Sequence, residues 1–319
     1  MDDLAVVLLA HADAAQVRRL LASLEPLPVF LHCDAKTPAT VFDAMVARLP
    51  EHVRTTPRVR TSLSSWSLVE AELVALREAL WHSDARHIAV LSGADYPLVP
   101  VTEIVAELAS WGDESYFWNV PMPFPSWDTP RNPDGGLWRL RRRFLTFRGQ
   151  VLYVRGIPLR WPFPRRIPPE LQLRASSQWK IYSRRHAEAL LEVVDSRPDL
   201  VRFWQHTLVP DEMFAATVLA SEALVGSGNV LARCTAHAWY MDWPEGEGVY
   251  HPRWLENRDF EALANASQGR HVTPAEARPT EVQGQRRLFG RKFSSDRSSA
   301  LLDRVDVELL GRRGSDRPG

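Results

Sequence analysis

Cysteine is almost missing from this chain: Cys33 and Cys234 are the only two in 319 residues. That excludes a fold held by a disulfide framework and fits a reducing compartment. Cys33 sits in an apolar run, where a buried free thiol is common. Lysine is scarce too, since Lys36, Lys180 and Lys292 are the only lysines among 39 basic residues. An equal number of acidic residues brings the net charge to zero, which leaves no general attraction to nucleic acid or anionic lipid. Long apolar runs are lacking as well. The longest near the start, Leu4 to Ala10, is too short to span a bilayer and lacks a basic leader. Together these absences predict a cytoplasmic protein with no stable membrane insertion and no nucleic-acid partner.

What is present is ordinary globular chain, 45% hydrophobic and 24% charged, long enough for one large core. Leu4 to Ala10 has the length of a buried strand. Asp13 then caps a helix in which Val17, Leu20, Leu21 and Leu24 fall at i, i+3, i+4 and i+7. Val29 to Cys33 is a second strand, and the resulting β-α-β unit implies parallel strands with ligands at their C-terminal ends. Val69, Leu73, Leu76 and Leu80 line a further helix. His87 to Leu91 makes the next strand, which must turn at Ser92-Gly93-Ala94-Asp95. From Asn119 to Glu170, Pro, Trp and Arg crowd together without periodicity, the texture of a functional loop region or lid. A strand is expected at Trp179 to Tyr182, then a helix from Arg184 to Val194 capped by Ser183. A helix after Asp211 and a strand-like segment near Leu231 to Trp239 follow. The stretch 246–281 reads as irregular and 311–319 as a disordered tail.

Polar residues close the early strands: His11 the first, His32 and Asp34 the second. His32 and Asp34 point to one side of their strand, so a metal pair is geometrically fair, but no third or fourth ligand is identifiable. The most concentrated signal is Leu208-Val-Pro-Asp-Glu-Met-Phe214, which sets two carboxylates behind Pro210 and ahead of an apolar run. Pro210 suits the start of a helix, and the carboxylates suit its positive dipole end. One reading is therefore simple capping. The other is a carboxylate aimed into a cleft.

Three more segments favour the cleft: His87-Ile-Ala-Val-Leu-Ser-Gly-Ala-Asp-Tyr-Pro-Leu98, Ala175-Ser-Ser-Gln-Trp-Lys-Ile-Tyr-Ser-Arg184 and Leu288-Phe-Gly-Arg-Lys-Phe293. In this order, with the Pro210 segment between the last two, they resemble the Core-2/I-branching family of glycosyltransferases, which also holds the peptide O-xylosyltransferases. The resemblance runs from about Ala5 to about Leu302. It implies an α/β, GT-A (Rossmann-like nucleotide-sugar-binding) fold as a single large domain. Residues 1–245 would form the catalytic part with an acceptor-side insert at about 119–170, and 246–310 a C-terminal extension. Animal members are Golgi-anchored and disulfide-rich, so the departure in cysteine implies a bacterial relative.

The family inverts the anomeric centre and uses no metal, and no Asp-x-Asp occurs in this chain. A departing diphosphate still needs positive charge, which fixed cationic side chains supply. The resemblance places the clamp lysine at Lys292. The clamp arginine points to Arg270, with Arg253 and Arg291 as competitors. Glu212 matches the family's general base, which takes the proton of the acceptor hydroxyl. His11 and Asp34 match positions facing the uridine of a nucleotide-sugar, and Asp95 joins the donor side. Trp243 matches an acceptor contact, and Trp138 and Arg139 lie in a Trp-basic run resembling one that reaches the acceptor; an amphipathic helix with a solvated basic face is the other reading. The implied donor is UDP-N-acetylglucosamine, with UDP-xylose second, and no cofactor is expected. The partners would be the donor and a hydroxyl-bearing glycan, metabolite or protein. Two other classes stay open: a glycoside hydrolase, which needs two carboxylates across the scissile bond, and a non-catalytic sugar-binding protein.

Overall fold

In the computed structural model, residues 3–244, 251–270 and 285–312 are described, and the tail expected at 311–319 falls outside them from residue 313 onward. Strand β1 (Leu4–Ala10) carries only apolar side chains, divided between the two faces of a sheet. Leu4, Val6 and Leu8 pack against Val17, Leu20 and Leu21 of α1 (Ala14–Ser23). Ala5 and Val7 turn to the opposite layer. A strand with both faces covered reads as one unbroken apolar run, and each buried Leu or Val contributes about 1.5–3 kcal/mol. Asp13 caps α1 as expected, accepting the Gln16 backbone N–H at 3.1 Å. Strands β2 (Val29–Cys33) and β3 (Val53–Thr55) follow, with α2 (Ala39–Val46) between them. Helix α3 (Trp66–His82) then leads to β4 (His87–Ser92). Strands β4, β1, β2 and β3 lie side by side in that order, all parallel. The chain leaves β1 toward β2 on one side while β4 lies on the other, so the crevice at the C-terminal ends of β1 and β4 is the switch point of the sheet. Gly93 lies in that crevice. A Cβ there would come within 2.9 Å of Val17 Cγ2, so glycine lets α1 approach the turn.

After β5 (Asp95–Pro97), α4 (Val101–Ala109) and β6 (Asn119–Pro121) comes the segment expected to be irregular. It is instead dense in short elements. One helical turn, α5 (Trp138–Arg141), runs into β7 (Arg142–Phe144), so the Trp-basic run is no long amphipathic helix. Strands β8 (Thr146–Phe147), β9 (Gln150–Val151), β10 (Tyr153–Val154) and β11 (Ile157–Pro158) form two hairpins, and β12 (Arg160–Pro164) returns along β7. Three leucines seven residues apart close a ring of backbone hydrogen bonds: Leu145 donates to Leu159, Leu152 to Leu145 and Leu159 to Leu152, at 2.8–2.9 Å. The hairpin turns are Arg148-Gly149 and Arg155-Gly156, all four residues at positive φ, as a two-residue type I′ turn demands. Strands two residues long show no period in sequence, which is why the region reads as loop.

Strands β13 (Arg174–Ser176) and β14 (Lys180–Ser183) follow, and β14 edges the main sheet antiparallel to β4. Helix α6 (Arg184–Ser196), capped by Ser183, packs beneath with α7 (Pro198–Gln205), α8 (Phe214–Ala220) and α9 (Glu222–Val225). The helix expected directly after Asp211 begins later: Pro210–Glu212 make a separate 3-10 turn, and Met213 at φ −138° interrupts the chain before α8. Of the strand expected near 231–239 only its end forms, as β15 (Trp239–Met241), because Cys234 pairs by a single bridge with Asn119. Helix α10 (Phe260–Ser267) lies in the stretch expected to be irregular, ahead of β16 (Phe289–Arg291) and α11 (Ser299–Arg304). Strand β16 runs between β15 and β5, with Arg291 directly opposite Asp95. Among the described residues no helix is long and apolar enough to cross a membrane.

Candidate active site

The polar residues at the end of β2 are held by the loop from Thr56 to Ser65, which the sequence did not single out. The Thr61 hydroxyl and the backbone N–H groups of Thr61 and Lys36 donate to the Asp34 carboxylate. Burial would raise the pKa of Asp34, but these hydrogen bonds and the Lys36 charge prevail and hold it below the usual carboxylate value. Asp34 is thus an ionised acceptor at the end of β2. Arg58 spans the carbonyls of Cys33 and Asp34 at 3.2 and 2.8 Å. His32 accepts the Val59 N–H on Nε2 at 2.9 Å. Burial pushes its pKa down to about 4, so the ring is neutral and that nitrogen is occupied. The suggested His32–Asp34 metal pair therefore lacks a free Nε2, and among the described residues no three His, Cys, Asp or Glu side chains are grouped to hold a metal. His11 stands exposed at the end of β1, its carbonyl accepting the Thr37 hydroxyl at 2.9 Å.

Asp95 is wholly buried. Its carboxylate accepts the Ser92 N–H at 2.8 Å, the Ser92 hydroxyl at 3.0 Å, the Trp239 indole N–H at 3.3 Å and the Arg291 guanidinium at 2.7 Å. With both oxygens taken, Asp95 orients Arg291 and leaves little room for direct contact with a ligand. The Arg291 guanidinium also stacks over Trp179, 4.1 Å from the ring centroid. Lys292 follows, half-buried over Trp254 at 5.3 Å. Burial and the neighbouring Arg291 charge lower its pKa, partly opposed by Asp95, and its ammonium has no carboxylate partner among the described residues. The competing arginines lie apart from it in function. Arg253 is consumed by Asp242 at 2.7 Å and Asp259 at 2.8 Å. Arg270 is exposed just past α10, where the Ala266 carbonyl accepts the Arg287 N–H. Arg270 itself donates its N–H to the Asn265 carbonyl at 2.8 Å. Trp243 lies half-buried next to Asp242.

Glu212 stands on a strained turn. Val209 has φ 54° and ψ 51°, a left-handed conformation that costs a β-branched residue on the order of 1–3 kcal/mol. It is held by its N–H to the Ser64 carbonyl at 2.9 Å, and Ser64 is itself at φ 61°. Thr61 and Ser64 lie on the one loop, so Asp34 and the Glu212 turn share a support. The Glu212 carboxylate is 39% exposed and meets Arg139 at 3.2 Å. Arg139 in turn stacks over Trp127 at 4.3 Å. Trp138 is half-buried, making an edge contact with Phe144 in the cluster that holds Leu208. Behind the turn, Lys180 is buried against Glu72 at 3.1 Å, and Tyr182 donates to the same carboxylate at 2.6 Å. Asp211 faces this group. Burial first, and then the adjacent Glu212 charge, push its pKa up to about 7. Three buried side-chain polar atoms at this turn lack a hydrogen-bond partner among the described residues: Trp138 Nε1, Arg139 Nε and Asp211 Oδ1. Unpaired buried groups are costly unless a ligand or water completes them, so their clustering marks a place built to receive something. Of Asp95, Asp211 and Glu212, only Glu212 presents a carboxylate outward.

No curated protein matches the chain. Among solved structures it is similar to a putative glucose-1-phosphate thymidylyltransferase from Bacillus anthracis in complex with sucrose. That likeness has 9% identity over 59% of this chain and 75% of that one, at a TM-score of 0.27, too loose to bear on function. The family model Branch, Core-2/I-Branching enzyme, matches residues 28–264, taking in every strand of the main sheet after β1 together with the Glu212 turn, and the chain belongs to that family of glycosyltransferases.

Proposed function

We propose that this protein moves a sugar from a UDP-sugar to an acceptor hydroxyl, with inversion and without a divalent cation, in the cytoplasm. Glu212 is the general base. The observation that carries this reading is its placement: an outward carboxylate on a strained turn, oriented by Arg139 and ringed by unpaired polar atoms. The base takes the proton of the acceptor hydroxyl while that oxygen bonds to the anomeric carbon. The bond from that carbon to the diphosphate oxygen breaks, and UDP leaves with the electron pair. Lys292, half-buried with no carboxylate partner, neutralises the departing diphosphate, and Arg291 stands beside it locked to Asp95. His11 and Asp34 face the nucleoside at the strand ends. Trp243 and Arg139 serve the acceptor. UDP-N-acetylglucosamine is the donor we favour, with UDP-xylose second. Metal independence is supported by the missing Asp-x-Asp and by the absence of a grouped metal-ligand set among the described residues. Two free cysteines suit the cytoplasm.

Calorimetry with UDP, uridine and UDP-sugars in excess chelator, paired with a UDP-release assay, tests the reading. UDP and one UDP-sugar should bind without metal. Activity abolished by chelator and restored by Mn²⁺ would overturn the metal-free mechanism. Glu212→Gln should bind donor like the native protein while turnover falls by about 10²–10⁴. Native turnover in that variant would remove Glu212 as base.

A further inference from the structure

The arm formed by residues 142–164 buries little of itself. Among the described residues there are ten exposed large hydrophobic side chains, and seven lie between Phe147 and Phe163. Phe147, Val154, Ile157, Trp161 and Phe163 are each more than half exposed, and all five residues of β12 face solvent. An isolated hairpin is marginal without a covered face. Yet the leucine ring and the two type I′ turns give this one a defined frame, rooted where Val151 donates to the Ser65 hydroxyl at 2.9 Å. Charge is segregated here too. From Gly135 to Pro169 the chain has nine arginines and no acidic residue. Six of them, Arg141, Arg143, Arg148, Arg155, Arg160 and Arg166, are exposed and have no ion-pair partner among the described residues. Net neutrality thus hides a cationic, apolar arm on a body with a compensating excess of acidic residues.

We propose that this arm docks the protein on the surface of an anionic lipid bilayer. Arginines meet the headgroups, and the exposed aliphatic and aromatic side chains enter the boundary with the acyl chains, the combination that binds peripheral proteins to membranes. The aliphatic tips decide against nucleic acid. Val154, Ile157 and Leu152 have no stacking partner on a base, whereas they partition into lipid. A protein partner fits less well, since interface cores are depleted in charge and this face carries one sign throughout. Because β7 continues directly from the turn bearing Arg139, docking sets the Glu212 cleft beside the bilayer.

Vesicle sedimentation of the full chain tests this independently of donor or acceptor. Vesicles of phosphatidylcholine with 30% phosphatidylglycerol should bind it, pure phosphatidylcholine vesicles should bind far less, and raising salt from 50 to 500 mM should weaken the attachment. The triple variant Arg148→Gln/Arg155→Gln/Arg160→Gln should lose roughly a hundredfold in vesicle affinity. Ile157→Ser should lose about tenfold with its salt dependence unchanged. Brominated acyl chains should quench a tryptophan signal that disappears in Trp161→Phe. Far-UV circular dichroism and melting temperature, unchanged in these variants, certify their fold. Equal binding to both vesicle types, no loss in the triple variant, or tighter binding to single-stranded RNA than to anionic vesicles would each overturn the proposal.

Discussion

On the body of the molecule, several surface arginines are paired with carboxylates. Arg77 meets Asp195 at 2.5 Å, Arg86 meets Asp113 at 3.1 Å, and Arg197 lies between Glu170 at 2.9 Å and Asp199 at 2.7 Å. On the hairpin arm Arg143, Arg148, Arg155 and Arg160 are exposed with no carboxylate partner among the described residues, and Arg141 and Arg166 flank it in the same state. Of the nine arginines between Gly135 and Pro169 only Arg139 has a carboxylate partner among the described residues, and that partner is Glu212. The seam between the two regions is therefore the candidate active site. What sets the arm region apart is that no acidic residue occurs between Gly135 and Pro169, so its charges have no opposite sign nearby in the sequence.

The largest effect is expected at a buried body pair, Arg291 with Asp95. Asp95→Ala removes the partner of a guanidinium that is 13% exposed and leaves the charge uncompensated. Chemical denaturation should show a loss of about 3–5 kcal/mol. A loss under about 1 kcal/mol would mean that Arg291 finds another anion and that the pairing rule is weaker than drawn.

Lys292→Ala tests a body cation that has no carboxylate partner among the described residues. UDP binding should weaken by about 1.5–3 kcal/mol, with uridine little affected. Equal losses for both would make Lys292 a structural residue.

Asp211 sharpens the seam through pH. Its folded pKa of about 7 lies above the ordinary carboxylate value of 3.8, because burial and Glu212 disfavour its charge. The folded state holds that proton more tightly than the unfolded one, so stability is fully present at low pH and falls as pH rises from about 4 to 7. Melting temperatures measured across that window should fall more steeply for the native protein than for Asp211→Asn. Parallel curves would show that Asp211 ionises in the fold at its usual value.

The smallest effect contrasts two exposed arginines. Arg77→Ala should cost under about 1 kcal/mol for its exposed pair, and Arg155→Ala, which pairs with nothing in the chain, should leave stability unchanged. A measurable loss at Arg155 alone would show that the arm's charge supports the fold after all.

Leu4–Ala10 and Val29–Cys33 were legible to the residue, because a strand covered on both faces needs nothing but a run of apolar side chains bounded by capping and turn residues. The caps at Asp13 and Ser183 were equally plain, being local hydrogen bonds over three residues. Glu212 was found through a motif, although its turn proved to be a separate 3-10 element held by Val209. Arg270 was singled out by spacing and the resemblance alone, whereas Arg291 is set by its register opposite Asp95. The arm was opaque because strands of two residues carry no period, and its leucine ring closes through backbone groups that every residue possesses. The sequence by itself determined the parallel sheet, its capped helices and the segregation of arginine from acid, all of which are local or additive. Only the tertiary structure decided that Asp95 would be sealed by an arginine 196 residues away and that Arg139 would meet Glu212 across 73. The same is true of the loop from Thr56 to Ser65, which holds both Asp34 and the Glu212 turn. Long-range pairings are chosen by the packing of whole layers, and no single segment encodes them.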